Sequence, residues 1–352
     1  MTKDMTQGSP LKLLLAFAVP LMLGSLFQQF YNLADTIIVG RFVGVEALAA
    51  VGSVGGLNYL VLGFVNGIAC GFSIPISWTF GAHDHHEMRR YTANTVWLSI
   101  AFATVLTIVT VAMTRLVLVW TNTPADIIDL ADVYIRTIFA GIPFIFLYNM
   151  VAAIMRALGD SKTPLYLLIA SSVGNVILDC ILIIPFKMGV AGAAWATFAA
   201  QGAACILALF LLFRRVKSMN IKGGKPFSGR ALGEICKVAV PSVLQQSFIS
   251  VGNLFIQYMV NGYGSSIVAG YSAAIKLNTF AITCFTTIGN GMSSFTAQNI
   301  GADKPERIRK GFRSSLFFSL GTAAVFFLLF FILSEPLLSL FMNGDSSRLA
   351  ID

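Results

Sequence analysis

Apolar residues run through this chain in long stretches broken by short polar turns, and the length of the stretches sets the reading. About twenty apolar residues in a helix cross a hydrocarbon core of about 30 Å. The pattern predicts nine such spans, at about 12–39, 46–80, 92–114, 133–157, 164–186, 190–213, 234–262, 266–299 and 313–333. A membrane β-barrel needs short alternating segments instead, and the continuous runs exclude one. The chain reads as an all-α, multi-pass integral membrane protein.

The spans also repeat. "FAVPLMLGSLFQQFYNL" (17–33) has a counterpart in "VAVPSVLQQSFISVGNL" (238–254), with Pro20 on Pro241 and Asn32 on Asn253. "FGAHDHHEMRR" (80–90) meets "IGADKPERIRK" (300–310), with Gly81 on Gly301 and Arg89 on Arg309. Two matches in the same order at nearly one shift indicate duplication. Six spans separate the matching turns, so both copies cross in the same direction. Such parallel repeats place a substrate between two lobes that rock against each other. The expected organisation is a six-helix lobe at 1–213, a polar linker at 214–233 and a second lobe at 234–352. That second copy reads as incomplete, short of about 80 residues, enough for three more helices.

Composition adds orientation. The chain is 56% hydrophobic and 11% charged, with a mean hydropathy of +0.78; soluble domains carry about 25% charged residues. A net charge of +8 raises the question of nucleic acid, but its distribution answers it. Of 24 Lys and Arg residues, 18 lie in the N-terminus and every second loop, and 5 on the opposite side. The positive-inside rule then places the N-terminus in the cytoplasm and makes the basic excess a topology signal. The first apolar run has no small-residue cleavage pattern, so no cleavable signal peptide is expected. The five cysteines are scattered without a C-x-x-C spacing, which disfavours a disulfide or metal role. His83, His85 and His86 cluster with Asp84 in one loop; a metal site and a plain polar loop are both open, the loop being the simpler reading.

Polar residues inside spans are costly and mark function. Asp35 lies near the outer end of span one, Asp179 in the outer half of span five and Thr197 in the outer half of span six. Asn175 shares a helix face with Asp179 at a spacing of four. Two carboxylates, an amide and a hydroxyl at similar depth are compatible with a proton or monovalent-cation site. The alternatives are that Asp35 pairs with Arg41 at the interface and that Asp179 hydrogen-bonds a neighbouring helix. Pro20 removes a backbone donor within span one, giving a static bend or a movable one. Lys276 sits well inside span eight, where pairing with an acid on a further helix explains it better than snorkelling. Tyr31, Phe146 and Met155 are candidates for a drug-contacting cavity or for simple packing.

The residues resemble the multidrug and toxic compound extrusion (MATE) family of secondary transporters. The resemblance rests on "AVPLMLGSLFQQFYNLADTIIVGRFVGVEALAAVG", "RALGDSKTP", "KMGVAGAAWAT" and the second "AVP" opening. It implies twelve helices in two six-helix lobes, of which about nine are present here. It also implies export of cationic or amphipathic compounds in exchange for H+ or Na+. The family's Asp on helix one, Asn and Asp on helix five and Thr on helix six match Asp35, Asn175, Asp179 and Thr197. An Asn found on helix four of some members is replaced by Ala152, with Asn149 on another face. The second lobe carries Gln245 and Gln246 where some relatives have a Glu, which favours coupling by the first lobe. In some relatives the proline matching Pro20 permits bending of helix one.

The expected function is therefore cation-coupled antiport of organic compounds across a bacterial plasma membrane, with no cofactor beyond the coupling ion and no nucleic-acid partner. A flippase for a lipid-linked precursor is the alternative, although only Lys276 supplies the basic cavity residues that such proteins favour. A pore would want polar lining along several spans. An enzyme would want a nucleophile–base arrangement within them, and none is present in the sequence.

Overall fold

A computed structural model describes residues 4–121, 123–218, 227–261 and 265–333. The described residues form eleven helices in chain order. The first lobe comprises α1 (Pro10–Phe42), α2 (Val45–Ser53), α3 (Gly55–Gly81), α4 (His85–Trp120), α5 (Ile128–Ala140), α6 (Ile142–Ala157), α7 (Lys162–Ile183) and α8 (Gly189–Ser218). The second comprises α9 (Gly229–Asn261), α10 (Ser265–Gly301) and α11 (Pro305–Ile332). Six helical stretches among the described residues are long and apolar enough to cross a membrane, and seven if α5 and α6 count as one span.

One expected span is broken, for a local reason. Span four bends by 45° between α5 and α6. Pro143 has no N–H to continue α5 and sits instead in the first turn of α6, the position that tolerates it. Gly141 closes α5 by donating to Thr137 and Ile138, in a corner where a Cβ would press on the Ile138 carbonyl at 3.1 Å and the Phe198 ring at 3.2 Å. Span two, expected at 46–80, is one apolar stretch over Glu46–Gly81, with α2 and α3 separated only at Val54. Helix α8 runs on to Ser218 and α9 begins at Gly229, each reaching into the expected linker at 214–233. Arg215 and Lys217 suit the last turn of α8, where the helix dipole favours cations. The centre of the expected linker lies outside the described residues.

Turns set the spacing of the bundle. Asp84 caps α4 by accepting from the backbone N–H groups of His86 and Glu87, and Pro305 opens α11. No cluster of three potential metal ligands occurs among the described residues, and the His83–His86 loop serves as this capped turn. Two apolar cores hold the first lobe. One packs Phe72, Ile76, Phe146 and Met155 against Cys205 and Leu212, and the other packs Val39, Leu118, Ile135 and Phe139 against Ala193 and Ala194.

The duplication is visible in hydrogen bonds. After α3, Ala82, His83 and Asp84 donate to Trp78, Phe80 and Thr79; after α10, Ala302, Asp303 and Lys304 donate to Gln298, Ile300 and Asn299. Each partner is displaced by 220 residues. His83 and Asp303 both take a left-handed backbone, at φ 57° and 52°. Pro20 and Pro241 likewise lie inside the matching helices α1 and α9.

Candidate functional site

Three helices bring four of the sequence-predicted residues together. Asp35 projects from α1, Asn175 and Asp179 from α7, and Thr197 from α8. The Asp35 and Asp179 carboxyls lie close enough to interact directly. Asp179 is fully buried and Asn175 is 2% exposed. One carboxylate oxygen of each acid, Oδ1, is buried without a hydrogen-bond partner. Arg41 forms no ion pair with Asp35 among the described residues, so the interfacial reading of Asp35 does not describe its surroundings.

Asn175 links the acids to α8. A carboxylate accepts and does not donate, so the Asn175 amide nitrogen faces Asp179 Oδ2, at 2.7 Å. Its oxygen then accepts from the Thr197 backbone N–H at 3.1 Å and the Thr197 hydroxyl at 3.2 Å. Tyr31, one turn before Asp35 on α1, reaches Thr197 in turn. The five side chains form one connected polar group in an apolar lobe, which concentrates electrostatic interactions.

Two further features belong to the site. Tyr134 on α5, 8% exposed, lies within electrostatic range of Asp35, Asp179 and Tyr31; nothing in its local pattern sets it apart from a core tyrosine. Below Asn175, a polar crevice with room for about one water molecule is lined by Gln28, Tyr31, Tyr148, Ser171, Asn175 and Gln201. These positions continue the helical stripes Gln28–Tyr31–Asp35, Ser171–Asn175–Asp179 and Thr197–Gln201 at spacings of three and four, a signal the sequence does carry.

Other candidates fall elsewhere. Phe146 and Met155 are 0% and 1% exposed and packed in the core of the first lobe, so they present no open surface here. Tyr31 belongs to the acid cluster and borders the crevice. The side chain of Lys276 lies outside the described residues. Pro20 is half-buried within α1, well before Asp35. Asn149 donates to the Ile145 carbonyl of its own helix at 2.8 Å, and Ala152 is buried, so α6 gives the cluster no amide. Gln246 instead packs against Gly63 and Gly67 of α3, between the lobes.

A carboxyl pair on helices one and five, set in a two-lobe repeat, is what the sequence resemblance leads one to expect. The family model described as MatE matches residues 20–181 and 241–351, one block on each copy of the repeat. The chain belongs to the MatE family. This MatE protein is 29% identical to probable multidrug resistance protein YoeA of Bacillus subtilis (strain 168), over 94% of this chain and 73% of that protein. It is 33% identical to probable multidrug resistance protein YpnP of the same strain, over 87% and 68% of the two chains. Multidrug export protein MepA of Staphylococcus aureus (strain NCTC 8325 / PS 47) is 24% identical over 83% and 65%. Among solved structures, a MATE transporter in complex with MaL6 superposes with a TM-score of 0.91 at 24% identity, over 100% of this chain and 79% of that one. A MOP superfamily transporter from Pyrococcus furiosus gives 0.89 at 24% identity, over 99% and 78%. These superpositions establish the fold. The MatE chain is thus a multi-pass membrane transporter built as an all-α two-lobe repeat.

Proposed function

We propose that this protein is a multidrug efflux antiporter of the bacterial plasma membrane, with its N-terminus in the cytoplasm, and that Asp35 and Asp179 carry its coupling ion. The names of the relatives support multidrug export. The facing carboxyls of Asp35 and Asp179, with their two unpartnered buried oxygens, support the coupling role. Two carboxylates in contact repel unless a proton or a cation stands between them. No lysine or arginine is paired with either among the described residues, so that charge has to be supplied from outside.

H+ and Na+ make different demands on Asn175. With its amide nitrogen on Asp179, the cluster offers only carboxylate oxygens and suits a shared proton. Turning the amide over would bring a third oxygen to the acids and suit Na+, which binds hard oxygen donors. Either ion drives transport only by binding unequally to the two lobe arrangements, because equal binding shifts nothing. Organic cations or amphipathic drugs are the substrates this reading expects.

The test is gradient-driven uptake into inverted vesicles, normalised to folded protein, under separate proton and sodium gradients. Asp179→Asn and Asp35→Asn are each expected to insert and fold normally and to lose gradient-driven transport. The double variant should be little worse than either, because both acids serve one site. Undiminished transport by Asp179→Asn would remove the coupling role.

A further inference from the structure

The two lobes meet tightly at the face of the bundle that carries the N-terminus, and a segment of chain before α1 is built into the joint. Met5 is 1% exposed and packs with Phe17 of α1 and Phe295 of α10. Its N–H donates to Gln298 Oε1 on α10, at 2.9 Å. The Gln298 amide nitrogen donates across to the Ala157 carbonyl at the end of α6, at 2.8 Å. Gln298 is fully buried, so one second-lobe side chain is satisfied at both ends by first-lobe backbone. Asn299 and Arg307 both donate to the Met5 carbonyl, at 3.2 and 3.1 Å. Arg307 also reaches the Gly8 carbonyl at 2.9 Å, and Lys304 the Thr6 carbonyl at 3.0 Å.

Every one of these bonds except the Gln298–Ala157 bridge runs from the second lobe to the strap at residues 4–9, and that bridge runs to α6 of the first lobe. The strap has no helix or strand of its own in which to satisfy its carbonyls. On the first-lobe side Asp4 lies 3.9 Å from His83 and the Ser9 carbonyl accepts from Leu13 of α1. The Met5, Thr6 and Gly8 carbonyls, however, depend on the second lobe standing where it does. Opening the bundle at this face would orphan Gln298 and at least three strap carbonyls together. Contacts that exist in only one lobe arrangement select that arrangement.

We infer that residues 4–9 act as a latch that locks the N-terminal face of the bundle shut, with Gln298 as its hinge-pin and Arg307 and Lys304 as its clamps. The latch is a device of lobe movement and rests on the rocking reading above, but its test reads accessibility and needs no transport.

Ser77, 2% exposed, lies behind the joint with its hydroxyl on the same Ala157 carbonyl that Gln298 engages. In a variant lacking the five native cysteines and carrying Ser77→Cys, a membrane-impermeant maleimide should react slowly from either side. Adding Gln298→Ala or Arg307→Ala should speed labelling on the order of tenfold, as expected for losing about two hydrogen bonds, and only from the side that carries the N-terminus. Inverted and right-side-out vesicles separate the two sides, and size-exclusion profiles confirm folding. Unchanged labelling in folded Arg307→Ala protein would overturn the latch, even if Gln298→Ala fails to fold. Equal acceleration from both sides would also overturn it, since that is general loosening. Loss of transport coupling in Asp179→Asn bears on neither outcome.

Discussion

A single carboxylate outside the spans shows how the first lobe is stiffened. Asp160, 1% exposed, sits between α6 and α7 in the "RALGDSKTP" segment. It accepts from the Lys162 and Thr163 N–H groups at 3.2 and 3.0 Å, from the Thr163 hydroxyl at 2.7 Å, and from Arg215 of α8 at 3.1 Å. Burial disfavours its charge, but donation from Thr163 and the Arg215 guanidinium outweigh that and hold the carboxyl below its ordinary range. A lowered folded value means stability that is present above about pH 4, the unfolded value, and lost as pH falls through the folded value. Thermal melting of the purified protein should therefore weaken on acidification below about pH 4, and less so in Asp160→Asn. Asp160→Ala should cost about 1 kcal/mol or somewhat more at neutral pH, because it removes the side chain that caps the start of α7 through the Lys162 and Thr163 N–H groups. The membrane-embedded cluster was more legible than this one. Asp179 stood out because a carboxylate in an apolar run is costly, and the spacing of four brought Asn175 with it. Tyr134 did not stand out, because a tyrosine on a helix face carries no such cost.

Among the helices, glycine decides how closely the lobes approach. Gly81 ends α3 and Gly301 ends α10, and each faces the other copy's backbone. A Cβ on Gly81 would lie 1.9 Å from the Gln298 carbonyl oxygen, and a Cβ on Gly301 1.9 Å from that of Trp78. Trp78 and Gln298 are themselves repeat partners, so the contact is reciprocal, as a two-fold relation requires. A helix backbone cannot yield as a side-chain tip can, so Gly81→Ala should force the two helix ends apart. Spin labels at the exposed His85 and Glu306 should then report a longer and broader distance distribution. Gly289→Ala is the contrast: nothing lies within 4 Å of its added Cβ, and the change should stabilise α10 by up to about 1 kcal/mol. The sequence showed Gly81 and Gly301 as a matched pair without showing that they touch, because a repeat fixes correspondence and leaves contact to the packing of the lobes. It also missed the break in span four, since hydropathy is blind to the 45° turn that Gly141 and Pro143 impose.

At the scale of the whole molecule, the alternation of turns and the distribution of charge make one claim together. The turns after α3, α6, α8 and α10 lie on the face of the N-terminus, and those after α4 and α7 on the other, because each intervening segment crosses the bundle once. Among the described residues that alternation assigns 15 Lys and Arg residues to one face and 4 to the other, an imbalance that the positive-inside rule associates with a cytoplasmic N-terminal face. The rule acts during insertion, so the proposed orientation is tested by accessibility and not by the folded contacts. Lys217 near the end of α8 and Asp126 between α4 and α5 are both exposed and belong to opposite faces. In intact cells, Asp126→Cys should react with an impermeant maleimide and Lys217→Cys should react only after the membrane is opened. The reverse pattern would invert the topology while leaving the fold untouched. Labelling of both from outside would mean that a segment between them fails to cross, most directly the broken span of α5 and α6.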